Sequence, residues 1–178
     1  MNEFTEKFIN EMLEEYPYLR KVLLPTAEKF PLLYEGFLVR KEEIKLYGIA
    51  NEKDASLISF YARIIIPNDY IFMGIQVYDV FKKIPVEYII KYHYDHAHFN
   101  DINSGMGTLL CTHIVSDTLG YSNPILANVN TAHYLYLNYV NLQNEKSFNM
   151  KEFSHGHKGI QEFIIERSKK NERYKRKF

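Results

Sequence analysis

Residues 33–81 read LYEGFLVRKEEIKLYGIANEKDASLISFYARIIIPNDYIFMGIQVYDVF. Three runs in it, Leu33–Val39, Glu43–Ile49 and Ser56–Ile66, are rich in aromatic and β-branched residues, the side chains that fit a pleated, half-buried surface. Asn51–Asp54 is a turn signal between the second and the third. Pro67-Asn68-Asp69-Tyr70 turns the chain again before a further run, Met73–Phe81. The pattern predicts a four-stranded antiparallel meander.

Helical periodicity lies on either side of it. Phe4, Phe8, Ile9, Met12 and Leu13 fall at helical spacing within residues 2–15 with acids between them, which predicts an amphipathic helix ended by Pro17. Pro25 and Pro31 frame a connector. Past the meander, Asn123 is the expected N-cap of a second long helix with Pro124 at its first position. Ile125, Leu126, Val129, Ala132, His133, Tyr136, Leu137 and Val140 form one of its faces. A last helix is expected over Gly159–Lys175, with Ile160, Phe163, Ile164 and Arg167 at helical steps. Strands grouped together with helices at both ends make the fold class α+β.

The chain has 178 residues, which predicts one domain, 1–178. A hydrophobic share of 46% and a charged share of 25% are those of a foldable globular sequence and exclude wholesale disorder. Lys and Arg together equal Asp and Glu at 22 each, without the basic excess of a dedicated nucleic-acid binder. The basic charge gathers in residues 166–178, where Arg167, Lys169, Lys170, Arg173, Lys175, Arg176 and Lys177 face only Glu166 and Glu172. This tail reads as the solvated end of the last helix, favourable at a negative C-terminal dipole. No run of 18 apolar residues occurs, so no membrane span is expected. The acidic first 15 residues are unlike a signal peptide. A single cysteine excludes an internal disulfide and any multi-cysteine metal site. The expected setting is the cytoplasm.

Chemistry concentrates in KYHYDHAHFNDINSGMGTLLCTH, residues 91–113, which hold the only cysteine, Cys111, and four of the seven histidines. Asn100–Gly107 is dense in Asn, Asp, Ser and Gly and predicts a long loop, with Gly105 and Gly107 at positive φ. Two chemistries are open to these residues. His93, His96 and His98 with Asp95 or Asp101 offer the imidazole and carboxylate donors that zinc or iron takes, although no HExxH-type helical motif accompanies them. Packed or hydrogen-bonded loop histidines are the plainer reading. His155 and His157 are a smaller pair of the same kind. Cys111 offers a thiolate nucleophile, with His113 two residues on, against the plainer reading of a small core hydrophobe. No Gly-rich phosphate cradle followed by Lys-Ser/Thr exists, so the chain carries no means of its own to activate a carboxyl with ATP, and no cofactor is expected.

His98-Phe99-Asn100 upstream of Gly107-Thr108-Leu109-Leu110-Cys111 resembles the ubiquitin-conjugating (E2) family, in which a His-Pro-Asn tripeptide precedes a Gly-x-apolar-Cys segment with the active cysteine. Ile66-Pro67-Asn68-Asp69-Tyr70 resembles the family's Pro-x-x-Tyr turn. Tyr121-Ser122-Asn123-Pro124 stands where the family has a Trp-Ser-Pro-like lead into its next helix. Phe99 in place of proline, a longer loop before Cys111, Phe72-Met73-Gly74 in place of Pro-Pro and the lack of Trp mark a divergent sequence. In this it is most similar to the bacterial E2-like proteins of antiphage operons with cyclic-oligonucleotide signalling (CBASS).

The resemblance implies an E2-like fold over about residues 1–165 and a thioester on Cys111 that passes a protein's C-terminal acyl group to an amine. It implies Asn100 as oxyanion donor, with an Asx turn as the alternative role, and His98 as a residue that holds the loop. It further implies a protein acyl donor, such as the C-terminus of a cGAS-like nucleotidyltransferase, and an E1-like activator as a separate partner. Two other functions stay open: an inactive E2-like binding module, and a metal-dependent hydrolase built on the histidines.

Overall fold

A computed structural model describes residues 3–24, 31–70, 74–85, 87, 105–110, 112 and 123–143. Helix α1 (Glu3–Glu15) leads to strands β1 (Arg20–Val22) and β2 (Leu32–Phe37). Two short helices follow, α2 (Lys41–Tyr47) and α3 (Glu52–Ile58). Among the described residues, strands β3 (Tyr61–Ile66), β4 (Gln76–Asp79) and β5 (Thr108–Leu110) complete the sheet, and α4 (Pro124–Gln143) comes last. The five strands pair in chain order, every pair antiparallel. The class is α+β. Among the described residues no helix is long and apolar enough to cross a membrane.

Strand alternation decides which face meets the helices. Leu32 and Tyr34 of β2, Ala62, Ile64 and Ile66 of β3, and Val77 of β4 are buried on one face. They share a core with Ile9, Met12 and Tyr16 from α1 and its end, and with Ile125, Val129, Ala132, Leu135 and Tyr136 of α4. Each fully buried aliphatic chain here contributes roughly 1.5–3 kcal/mol. The opposite face carries Glu35 directly across from Arg63, ion-paired, and Phe37 edge-on to Tyr61 at 5.2 Å.

The four-stranded expectation is corrected to five, with a different membership. Glu43–Ile49 is not a strand. Its alternation also fits two turns of helix, and the local caps decide: Glu43 Oε2 accepts from the Arg40 N–H at 2.9 Å, and Gly48 closes α2 in the left-handed region at φ 65°. Asn51 does not turn a hairpin but caps α3, its Oδ1 accepting from the Asp54 N–H at 3.1 Å. The start of Ser56–Ile66 accordingly belongs to α3, and only Tyr61–Ile66 is strand. Met73–Phe81 shortens to Gln76–Asp79. Strands β1 and β5, three residues each, are made by pairing rather than by any periodicity of their own.

The expected cap of the long second helix is present. Asn123 Oδ1 accepts from the Leu126 N–H at 3.0 Å. Its amide also donates to Phe8 O at 2.9 Å and to Glu11 Oε2 at 2.8 Å, so one side chain starts α4 and ties it to α1. The expected last helix, Gly159–Lys175, and the basic tail lie outside the described residues.

Candidate functional site

Cys111, Asn100 and His98 lie outside the described residues, as do His93, Asp95, His96, Asp101, His113, His155 and His157. The described residues fix the chain on both sides of Cys111. Gly105 and Gly107 have φ of 73° and 102°, as expected for the loop. Gly107 has a second constraint: a Cβ there would stand 2.3 Å from Asp79 O. Only glycine lets the chain come this close to the end of β4. It then enters β5, where Thr108 opposes Asp79, Leu109 opposes Tyr78 and Leu110 opposes Val77. Leu110 and Thr112 are both buried. The Thr112 hydroxyl donates to Asn128 Oδ1 at 2.7 Å, and the Asn128 amide donates to Pro124 O at 2.8 Å. Residue 110 is thus held by the sheet and residue 112 by the first turns of α4.

Beneath β5 lies a buried acid. Asp79 is fully buried, and its Oδ2 accepts from the Ile84 N–H at 2.7 Å. Among the described residues its Oδ1 has no hydrogen-bond partner, and neither has the hydroxyl of Thr108 across the ladder. Burial pushes the Asp79 carboxyl above the usual range, against the pull of the 82–84 backbone N–H groups and the Lys83 charge. Lys83 extends instead to the carbonyls of Ser56 and Ser59, with its ammonium 5.4 Å from the centre of the Tyr136 ring. Burial lowers its pKa, and Asp79 opposes that.

A second buried polar group joins α1, the β2–α2 corner and α4. His133, 1% exposed, places Nδ1 2.9 Å from Leu38 O and Nε2 3.0 Å from Glu43 Oε1. The Tyr16 hydroxyl donates to Asn130 Oδ1 at 2.7 Å. Arg40 Nε lies 3.0 Å from Glu15 Oε1, and the guanidinium sits over the Tyr134 ring at 5.7 Å. Burial raises the Tyr16 hydroxyl well above the usual phenol range, so it stays a neutral donor.

Sequence reasoning assigned no role to Asp79, Glu43 or Thr112 and placed His133 only on a helix face. Asp79 carried a signal, an acid between Tyr78 and Val80 in a predicted strand, where Asp is depleted. The His133 partners lie 90 and 95 residues away, and no local pattern announces them. Among the described residues no group of three or more His, Cys, Asp or Glu could hold a metal ion. Comparison of the chain with family models, with curated proteins and with solved structures returns no match.

Proposed function

We propose that the protein is an E2-like acyl transferase that holds a thioester on Cys111 and passes the acyl group to an amine. The observation that carries the reading is the pair of anchors on either side of Cys111: Leu110 in the ladder against Val77, and Thr112 bonded to Asn128. A nucleophile gains from fixed neighbours, because each misplacement of the reacting atom costs rate. The wider order supports it too: a first helix, an antiparallel sheet with Pro67–Tyr70 in the turn after β3, and a capped helix after the cysteine.

In this reading the Cys111 thiolate attacks an activated C-terminal carbonyl, the leaving group departs, and an amine later displaces the sulfur. The Asn100 amide donates to the oxyanion of each tetrahedral intermediate, and His98 holds the loop. A protein activator of E1 type supplies the energy, and the C-terminus of a cGAS-like nucleotidyltransferase is the proposed donor. Mass measurement of the folded protein after brief alkylation tests the reading. Rapid single labelling at Cys111 is expected. A thiol that labels only after unfolding would leave an E2-like binding module as the better account.

A further inference from the structure

The two ring nitrogens of His133 both face groups that accept hydrogen bonds. Nδ1 meets Leu38 O at 2.9 Å, and a carbonyl can only accept. That oxygen also takes the Ser59 hydroxyl at 2.6 Å. Nε2 meets Glu43 Oε1 at 3.0 Å. The other oxygen of Glu43 accepts from the Arg40 N–H, so the ionised carboxylate has no hydrogen to give. A neutral imidazole has one N–H and cannot serve both partners. From this geometry we infer that His133 and Glu43 share a proton that latches α2 onto α4. The inference is independent of any chemistry at Cys111.

The surroundings favour the ionised form of Glu43. Burial pushes the Glu43 carboxyl up, but the hydrogen bond and charge of His133, the Arg40 N–H and the Arg40 charge together hold it below its ordinary value. The other titratable groups that face the pair are Tyr16, whose ring meets the imidazole edge-on at 5.8 Å, Glu15 beside Arg40, Lys41 bridging to Glu14 and Glu15, and Tyr134 at 6.4 Å. Without that proton the Nε2 lone pair would face the carboxylate of half-buried Glu43, and α2 would lose this bond to α4.

The sign of the pH dependence follows. On the acid side, Glu43 has a lowered folded value. Its contribution is present above about pH 4.3, the ordinary glutamate value, and is lost as pH falls through the folded one. The latch therefore opens on the acid side, where Glu43 takes up a proton.

Two measurements test it. Ring nitrogen NMR of the wild-type protein at pH 6 is expected to show hydrogen on both nitrogens of His133, which face two acceptors, and exchange protection of the Ile44 amide in α2, corrected for intrinsic rate, should fall about tenfold or more as pH falls from 6 through the lowered Glu43 value, the scale of one charge-assisted bond. Glu43→Gln should flatten that profile. Its amide nitrogen donates to Nε2, its oxygen still takes the Arg40 N–H, and a neutral ring with hydrogen on Nδ1 serves Leu38. A ring with a single hydrogen at pH 6, or a Glu43→Gln profile that falls like wild type, would overturn the latch. If Glu43→Gln fails to fold, the wild-type ring spectrum decides.

Discussion

Two carboxylates, fully buried Asp79 at the end of β4 and half-buried Glu43 at the first turn of α2, have pKa values shifted in opposite directions. Burial acts on both to raise the pKa. In Glu43 it is outweighed, because Oε1 meets His133 and Oε2 takes the Arg40 N–H. In Asp79, fully buried, it prevails over the Ile84, Lys83 and Lys82 backbone N–H groups and the Lys83 charge. Depth of burial weighed against the partners of the charged form sets the sign. The molecule shows a related contrast: charged groups bond the α2–α4 junction through His133 and Glu43, while the β4–β5 edge encloses an acid oxygen and a hydroxyl that have no partner among the described residues. Unused capacity in a buried site costs stability and often accompanies function.

The largest effect expected at that edge is from Gly107→Ala. A methyl at φ 102°, aimed at Asp79 O, both strains the backbone and forces β5 off β4. We expect a loss of about 3 kcal/mol or more in urea unfolding, the sum of backbone strain and overpacking. A stable variant with β5 still paired would show that the close approach does not hold the edge.

Asp79→Asn sharpens the comparison with a smaller effect of opposite sign. Asp79 has a raised folded value, so the wild type loses stability as pH rises from the ordinary aspartate value of about 3.9 toward it. The amide removes the buried charge and offers a donor to the side of Thr108. Asp79→Asn should therefore equal wild type near pH 3 and exceed it by about 1 kcal/mol at pH 7, the scale of one unsatisfied buried polar atom. A variant less stable than wild type at pH 7 would mean that the charge is held by bonds this account omits.

What could be read in the sequence was what is local and long. Helix α1, the capped α4 and the alternating β2 and β3 each repeat their pattern over enough residues to be unambiguous. Asn51 ahead of Asp54 fits a helix cap as well as a turn, and the sequence reading took the turn; likewise the aromatic and β-branched content of Glu43–Ile49 read as strand. At seven residues, α2 is too short for periodicity to separate helix from strand. Strand β5 shows nothing of its own in three residues, since its identity comes from Val77, Tyr78 and Asp79 across the ladder. For the candidate site, Cys111, Asn100 and His98 came from motif order alone. The anchors around Cys111 depend on Asn128 and Val77, which only the folded chain brings near.

The central claim is acyl transfer through Cys111, and adduct formation tests it most directly. The wild-type protein, mixed with an E1-like activator and a nucleotidyltransferase donor from its own operon, should gain a covalent adduct that a thiol reductant removes. Cys111→Ser should give an adduct that resists the reductant, because an oxyester has a poorer leaving group. Asn100→Ala should load but discharge to an amine about a hundredfold more slowly, the scale of one lost oxyanion donor. Wild-type protein that forms no adduct with these partners, or an adduct that survives in Cys111→Ala, would contradict the account.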